Sequence, residues 1–322
     1  MDDNTLMEYC LSLAEAGWPN VSPNPCVGAF IVHNDQIVKE GWHQSFGSAH
    51  AERHAITALN DNERKLLPES TLFVSLEPCN HHGKTPPCTD LIIESGIRRI
   101  VVGYSDPNPL MCGRSLQCLR DAGIEVIGPL FDDFATYPKG EVFMTGINQK
   151  RPYIILKWAQ SMDNYLSIKE QCTKITNFET NVLVHKWRAE SNAILIGYKT
   201  LITDQPQLTT RYWTGKNPVR YVLKDHRETN IIYEGFRVLL DEDLAHELTK
   251  MYIMNNIGIL MVEGGAYTLN KFIDKGFWDE CRVITNKNMY IQNGVPAPNI
   301  QGILKDEYTL GNNHISIIRP SK

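Results

Sequence analysis

Three side chains from well-separated segments constrain this chain more than any other feature. His50 is followed two residues later by Glu52, Cys79 follows Pro78, and Cys88 follows Pro86 and Pro87. One imidazole and two thiols form a donor set that zinc favours in a tetrahedral shell, and three protein ligands leave the fourth position for water. If one ion takes all three, the fold has to bring these segments together at a single point. Zinc lowers the pKa of water toward about 7. Glu52 is badly placed to chelate the same ion as His50, but well placed to carry a proton. That division of labour, with a glutamate that is not a ligand acting as general acid and base, is the one used by zinc deaminases. A His-x-Glu or a Pro-Cys is weak alone; the three pieces in order are a far stronger signal. The competing reading is a structural zinc with a fourth protein ligand, drawn from His54, His81 or His82.

Periodicity places these residues on elements. Residues 4–16 read as an amphipathic helix, and residues 26–31 and 36–41 as two strands around a turn at His33-Asn34-Asp35. Residues 48–59 read as a helix with Ser48 as its N-cap, which puts His50 and Glu52 in the first turn. Residues 71–76 form a β-rich run. Residues 88–95 form a short helix with prolines before it and Gly96 after it. A cysteine at a helix N-terminus is the more readily ionised. Residues 100–103 and 124–127 read as strands, with a helix over 116–122 between them. This alternation predicts a three-layer α/β sandwich.

The 322 residues suit two domains of about 150 residues each better than one core. The second half restarts at Arg151-Pro152, with strand-like runs at 153–156, 193–197, 219–223 and 257–263, the last ending at Gly264-Gly265. It too reads as α/β, and domains over 1–146 and 147–322 are expected. The formal net charge of −5 supplies no global basic field for nucleic acid. No apolar run of about 18 residues is present for a membrane span, and the polar start Met1-Asp2-Asp3-Asn4 is unsuited to a signal peptide. A cytoplasmic protein is expected. In a reducing compartment Cys79 and Cys88 are better read as metal ligands than as a disulfide.

The spacing between the cysteines narrows the family. Eight residues, Asn80 to Pro87, separate them, a departure from the Pro-Cys-x-x-Cys of cytidine and tRNA adenosine deaminases. The stretches SPNPCVGA (22–29), GWHQ (41–44), HAE (50–52), LEPCNHHGKTPPC (76–88), DPNP (106–109) and AGIEV (122–126) resemble the bifunctional riboflavin-biosynthesis deaminase/reductases. The resemblance implies a cytidine-deaminase-like α/β/α sandwich that hydrolytically deaminates a phosphoribosylated diaminopyrimidinone to the aminouracil. It also implies substrate contacts from Asn24, His43, Lys84, Asp106 and Asn108. The residue chemistry agrees: an asparagine offers donor and acceptor to a ring edge, and a lysine is a point charge for phosphate or ribose. Asp106-Pro-Asn-Pro109 is also ordinary turn chemistry. At Gly113-Arg114-Ser115 the family usually has a second glycine.

In the second half the stretches RPYIILKWAQSMD (151–163), WRAESNAILIG (187–197), TLITDQPQLTTR (200–211) and VEGGA (262–266) carry the same resemblance. It implies a dihydrofolate-reductase-like α/β domain that uses NADPH to reduce the ribosyl group to ribityl, and a homodimer or higher homo-oligomer. Lys157 is implied as the catalytic group that polarises the opened sugar. Cys172, Arg188, Leu208, Arg211 and Glu263 are implied at the substrate, and Ala159, Lys174, Thr200, Asp204, Gly265 and Ala266 at the cofactor. The Gly264-Gly265 turn offers backbone N–H groups to a phosphate, though it is also a simple strand-to-helix turn. Departures fall at Asn164, where the family has Gly, and at Cys172 and Lys174, where it has Ser and Trp. Residues 225–256 are also short for the family. A deaminase whose second domain is impaired at Cys172 and Lys174 is therefore a second reading, and a structural-zinc nucleotide-binding protein a third.

Overall fold

The computed structural model describes residues 2–81, 86–109, 111–169, 171, 173–224 and 234–321. Two compact units divide the chain, Met1–Asn148 and Gln149–Lys322.

The first unit runs α1 (Asp3–Glu15), β1 (Gly28–His33), β2 (Gln36–Trp42), α2 (Ala51–Thr57), α3 (Asp61–Arg64), β3 (Thr71–Leu76), α4 (Cys88–Ser95), β4 (Arg99–Tyr104), α5 (Arg114–Asp121), β5 (Glu125–Ile127) and α6 (Gly140–Gln149), the last ending at the boundary. The sheet order is β2-β1-β3-β4-β5. β1 is antiparallel to β2 and β3, and β3, β4 and β5 are parallel. Asn34 and Asp35 both take positive φ, 50° and 59°, so the hairpin closes through the two-residue turn whose twist matches paired strands.

Strand alternation explains the layers. Ala29, Ile31, Leu72, Val74, Ile100 and Val102 point to one face, where α2, α4 and α5 supply Ala55, Ile56, Ile92, Leu116 and Leu119. The intervening Phe30, Phe73 and Val101 point to the other face and pack with Met7 and Cys10 of α1. Strands buried on both faces read as continuous apolar runs, and the three-layer sandwich follows from them. Gly41 sets how closely α2 approaches the sheet: a Cβ there would lie 2.5 Å from both the Ala51 carbonyl and the Ala55 nitrogen. The helix expected from Ser48 starts later. His50 is its N-cap, with extended backbone, while the Ser48 hydroxyl is used in a local turn with the Ser45 backbone. The 26–31 strand likewise begins only at Gly28.

The second unit runs β6 (Tyr153–Ser161), β7 (Tyr165–Ile168), α7 (Phe178–Ala189), β8 (Ala193–Gly197), α8 (Tyr198–Asp204), β9 (Val219–Lys224), β10 (Arg237–Leu240), α9 (Leu244–Ile253), β11 (Ile259–Val262), α10 (Ala266–Asp274), β12 (Glu280–Asn286), β13 (Gly294–Pro296), β14 (Ile303–Leu310) and β15 (Asn313–Arg319). Its main sheet has the order β10-β9-β8-β11-β6-β12-β15-β14, parallel as far as β12 and antiparallel through β15 and β14. One face buries Leu156, Leu195, Leu223 and Val262 against Leu248 and Met251 of α9 and Leu269 and Phe272 of α10. β6 continues well past the expected 153–156, so Lys157 sits in the middle of a central strand. Among the described residues no helix is long and apolar enough to cross a membrane.

Candidate active sites

The zinc-type donors converge. His50 is the N-cap of α2, Cys79 lies just past the end of β3, and Cys88 is the first residue of α4. His50 Nδ1 stands 3.5 Å from both Cys79 Sγ and Cys88 Sγ, and all three ligand atoms lie within 4.8 Å of one another. Zinc bonds of about 2.3 Å to sulfur and 2.0–2.1 Å to nitrogen at tetrahedral angles place N and S roughly 3.6 Å apart, so the geometry fits the ion. The backbone N–H groups of Cys88 and Thr89 donate to the Cys79 carbonyl, and that of Cys88 also to Cys79 Sγ at 3.4 Å. The start of α4 is thereby fastened to the other cysteine.

Without an ion the two sulfurs share a proton. A hydrogen bond from the Cys88 thiol outweighs burial and, with the His50 imidazole, holds the Cys79 thiol down at about 4. The same hydrogen bond and burial drive the Cys88 thiol up. Two adjacent thiolates need a positive ion to coexist. Of the candidate fourth ligands among the described residues, neither His54 nor His81 joins the cluster. His54 Nδ1 is held at the Trp42 backbone, 3.4 Å from its N and 3.3 Å from its O. His81 is exposed, and His82 lies outside the described residues.

Glu52 is buried, 3% exposed, in the first turn of α2. Burial, then the nearby Cys79 sulfur, raises its carboxyl above the ordinary value. A carboxyl raised in this way holds a proton more readily than an ordinary glutamate, as a proton carrier must. A cavity of about 410 Å³ is lined by Asn24, His43, His50, Glu52, Cys79, Asp106 and Asn108 together. His43 Nδ1 is 3.0 Å from the Ala49 carbonyl, which requires Nδ1 to donate, and Nε2 then accepts from Asn24 Nδ2 at 3.2 Å. Burial lowers the His43 pKa and favours this neutral form. Burial also raises the Asp106 carboxyl. Lys84 lies outside the described residues.

The cavity also shows what sequence reading missed. Glu77 is 6% exposed and lines it, and its carboxylate accepts from Asp106, Gly113 and Ser115. The only local signal for it was its place in the Leu76–Cys88 loop.

In the second unit a cavity of about 960 Å³ is lined by Lys157, Ala159, Lys174, Thr200, Asp204, Glu263, Gly265 and Ala266. Lys169 and Lys199 add further positive charge to its wall. The Gly265 N–H donates to Thr200 Oγ1 at 3.1 Å, joining the start of α10 to α8. A large, partly apolar cleft at a helix N-terminus, with Lys169, Lys174 and Lys199 on its wall beside Asp204 and Asp241, has room and cations for a phosphate-bearing dinucleotide. At its edge Glu263 is shared by two cations: Lys157 Nζ at 3.3 Å, and Arg188 through Nε at 2.8 Å and Nη2 at 2.9 Å. Burial opposes ionisation of Glu263, yet Arg188 and Lys157 together hold it down at about 2. Burial lowers the Lys157 pKa despite Glu263. Arg188 Nη1 also reaches the Thr209 carbonyl. Leu208 and Arg211 do not line this cavity: Leu208 is buried at 3%, and Arg211 lies over the Tyr212 ring. Cys172 lies outside the described residues.

Comparison with known proteins finds a family match in each unit. Residues 1–104 match the cytidine and deoxycytidylate deaminase zinc-binding region, and residues 152–286 the RibD C-terminal domain. The chain is 38% identical over 310 residues to the riboflavin biosynthesis protein RibD of Aquifex aeolicus, covering 86% of this chain and 85% of that one. It is 33% identical over 307 residues to RibD of Bacillus amyloliquefaciens, covering 85% and 81%. It is also similar to the crystal structure of a diaminohydroxyphosphoribosylaminopyrimidine deaminase/5-amino-6-(5-phosphoribosylamino)uracil reductase from Thermotoga maritima, with a TM-score of 0.84, 32% identity and 98% of each chain covered. With a zinc-type deaminase site in one unit and an NADPH-type reductase cleft in the other, this chain belongs to the RibD family of bifunctional deaminase/reductases of riboflavin biosynthesis.

Proposed function

We propose that the first unit hydrolyses the amine from a phosphoribosylated diaminopyrimidinone, and that the second reduces the ribosyl group of the resulting aminouracil to ribityl. The observation that carries this reading is the convergence of His50, Cys79 and Cys88 beside a buried Glu52, at one cavity with Asn24, His43, Asp106 and Asn108. His50, Cys79 and Cys88 are the residues to hold zinc, which supplies Lewis acidity and a water of lowered pKa. Glu52 would take one proton from the attacking water and pass it to the ring nitrogen, then take the second from the newly added hydroxyl and pass it to the leaving amine. Neutral His43, fixed in one tautomer between Ala49 and Asn24, orients the Asn24 amide toward a ring edge. Asp106 and Asn108 face the same space, and Lys84 is assigned to the phosphate or ribose by family likeness alone.

In the second unit NADPH supplies the reducing equivalents, and Ala159, Lys174, Thr200, Asp204, Gly265 and Ala266 are assigned to hold it. Lys157 polarises the opened sugar, with its ammonium oriented by Glu263. Glu263, on the cavity wall, is assigned to the substrate, and Arg188, Leu208, Arg211 and Cys172 are assigned to it by family likeness alone. The thiols of Cys79 and Cys88 need a reducing setting, which supports a cytoplasmic location, and a homodimer formed through the second unit completes the reading; light scattering on the purified chain checks the latter. Supplying the diaminopyrimidinone should release ammonia, and supplying the aminouracil should consume NADPH. Ammonia release without NADPH oxidation would overturn the reductase assignment and leave an active first unit.

A further inference from the structure

We infer that Glu77 is a positioning residue for the deaminase, holding the Asp106–Ser115 loop over the substrate cavity through four hydrogen bonds to one buried carboxylate. The inference rests on the proposed reading of that cavity as the substrate pocket. Oε2 accepts from the backbone N–H of Asp106 at 3.1 Å and of Gly113 at 2.9 Å. Oε1 accepts from the Ser115 N–H at 3.3 Å and from its hydroxyl at 2.7 Å. These contacts fall at the two ends of the segment that carries Asp106 and Asn108.

The local sequence explains why a remote carboxylate is needed. The N-cap of α5 is Gly113, which has no side chain to satisfy the first N–H groups of the helix. Its φ of 76° is a conformation that glycine reaches without strain. Glu77 supplies the missing cap from the end of β3, and its negative charge suits the helix N-terminus. Described residues between these ends are also fastened to one another. Asp106 Oδ1 accepts from the Asn108 N–H at 2.8 Å, and the Asn108 carbonyl accepts from Met111 and Cys112. The Glu77 N–H in turn donates to the Tyr104 carbonyl at 2.8 Å, tying the carboxylate's own backbone to β4. Cys79 is two residues further on, so one short segment carries both a proposed metal ligand and the anchor of the substrate loop.

All four groups facing the carboxylate are donors. Glutamine in its place offers one acceptor oxygen and one NH2 group, so one pair of donors would meet another donor. Glu77→Gln should therefore release the loop while keeping the side chain's size. With the zinc-loaded full-length protein, the expected result is a KM for the diaminopyrimidinone raised about ten- to a hundredfold. The turnover number should stay within a few-fold, and zinc content and the NADPH-dependent activity should be unchanged. Ser115→Ala removes only the hydroxyl and should raise the same KM by a few-fold; Glu77→Asp, which keeps acceptors on both sides, should recover part of the loss. Unchanged KM in Glu77→Gln overturns the inference, as does a fall in turnover that tracks loss of zinc. If Glu77→Gln misfolds and loses both activities, Ser115→Ala decides, and an unchanged KM there is equally fatal. Asn108→Ala separates the layers: no KM effect from it sinks the pocket reading and this inference with it, whereas an Asn108 effect without a Glu77 effect sinks this inference alone.

Discussion

Arg188 grips Glu263 with two nitrogens of its fork, Nε to Oε1 at 2.8 Å and Nη2 to Oε2 at 2.9 Å, and both side chains are about nine-tenths buried. A two-point contact of this kind fixes the plane of the carboxylate as well as its charge. Lys157, on the neighbouring strand β6, then takes a position set by a group that cannot rotate. Removing the anion leaves two buried cations facing each other. Glu263→Gln should therefore destabilise the second unit by about 3–5 kcal/mol, the usual cost of breaking a buried ion pair from one side. The urea midpoint followed by tryptophan fluorescence checks this, since Trp158, Trp187 and Trp278 all belong to that unit.

The same carboxylate predicts an acid response. Its pKa stands at about 2 in the folded protein against an ordinary 4.5. A depressed acid stabilises the fold fully above the ordinary value and loses that contribution as protons bind. Stability of the second unit should thus fall as pH drops from about 4.5 toward 2. The pH dependence of the urea midpoint should be shallower in Glu263→Gln than in the wild type across this window. Equal slopes would mean that other carboxylates control acid unfolding.

How far these features could be read from sequence depended on whether their cause was local. The alternating burial of Ala29-Phe30-Ile31 and Ile100-Val101-Val102 made strands of those runs, and two-sided burial made them part of a sandwich. His50, Glu52, Cys79 and Cys88 were legible because zinc chemistry restricts residue type. The start of α2 was misplaced, because Ser48 is an ordinary capping residue, whereas His50 takes the N-cap position through its backbone alone and its imidazole faces the two cysteines. β6 was cut short because Lys157 interrupts its apolar run, although the charge is accommodated by Glu263 from β11's end, more than a hundred residues away. The role of Glu77 was hidden for the same reason: its partners at Gly113 and Ser115 lie more than thirty residues on, and no spacing rule connects them. The antiparallel edge of β14 and β15 was also missed, since β14 is almost wholly exposed and has no buried stripe to announce it.

Glu52→Gln separates the metal from the proton. Glu52 is not one of the three clustered ligands, so zinc should remain at wild-type stoichiometry. Ammonia release should fall about 10²–10⁴-fold, the usual worth of a positioned general acid and base. Cys79→Ser and Cys88→Ser should behave in the opposite order: zinc is lost first, and activity disappears with it. Metal content by mass spectrometry beside ammonia release distinguishes the two classes. A Glu52→Gln protein that deaminates normally would remove Glu52 from the chemistry.

Lys157→Met tests whether the second cation on Glu263 is there for stability or for chemistry. Arg188 alone already satisfies the carboxylate charge and both of its oxygens. Burial disfavours the Lys157 ammonium, which lowers its pKa even beside Glu263. Replacing it with an unbranched apolar side chain of similar length removes that cost and leaves a balanced Arg188–Glu263 pair. The variant should accordingly unfold at a urea concentration no lower than the wild type. NADPH oxidation with the aminouracil should nevertheless fall about 10²–10⁴-fold, with ammonia release from the first site unaffected. A loss of stability comparable to that of Glu263→Gln would show instead that the lysine is a structural partner, and the polarising group would have to be sought among the other residues lining the cavity.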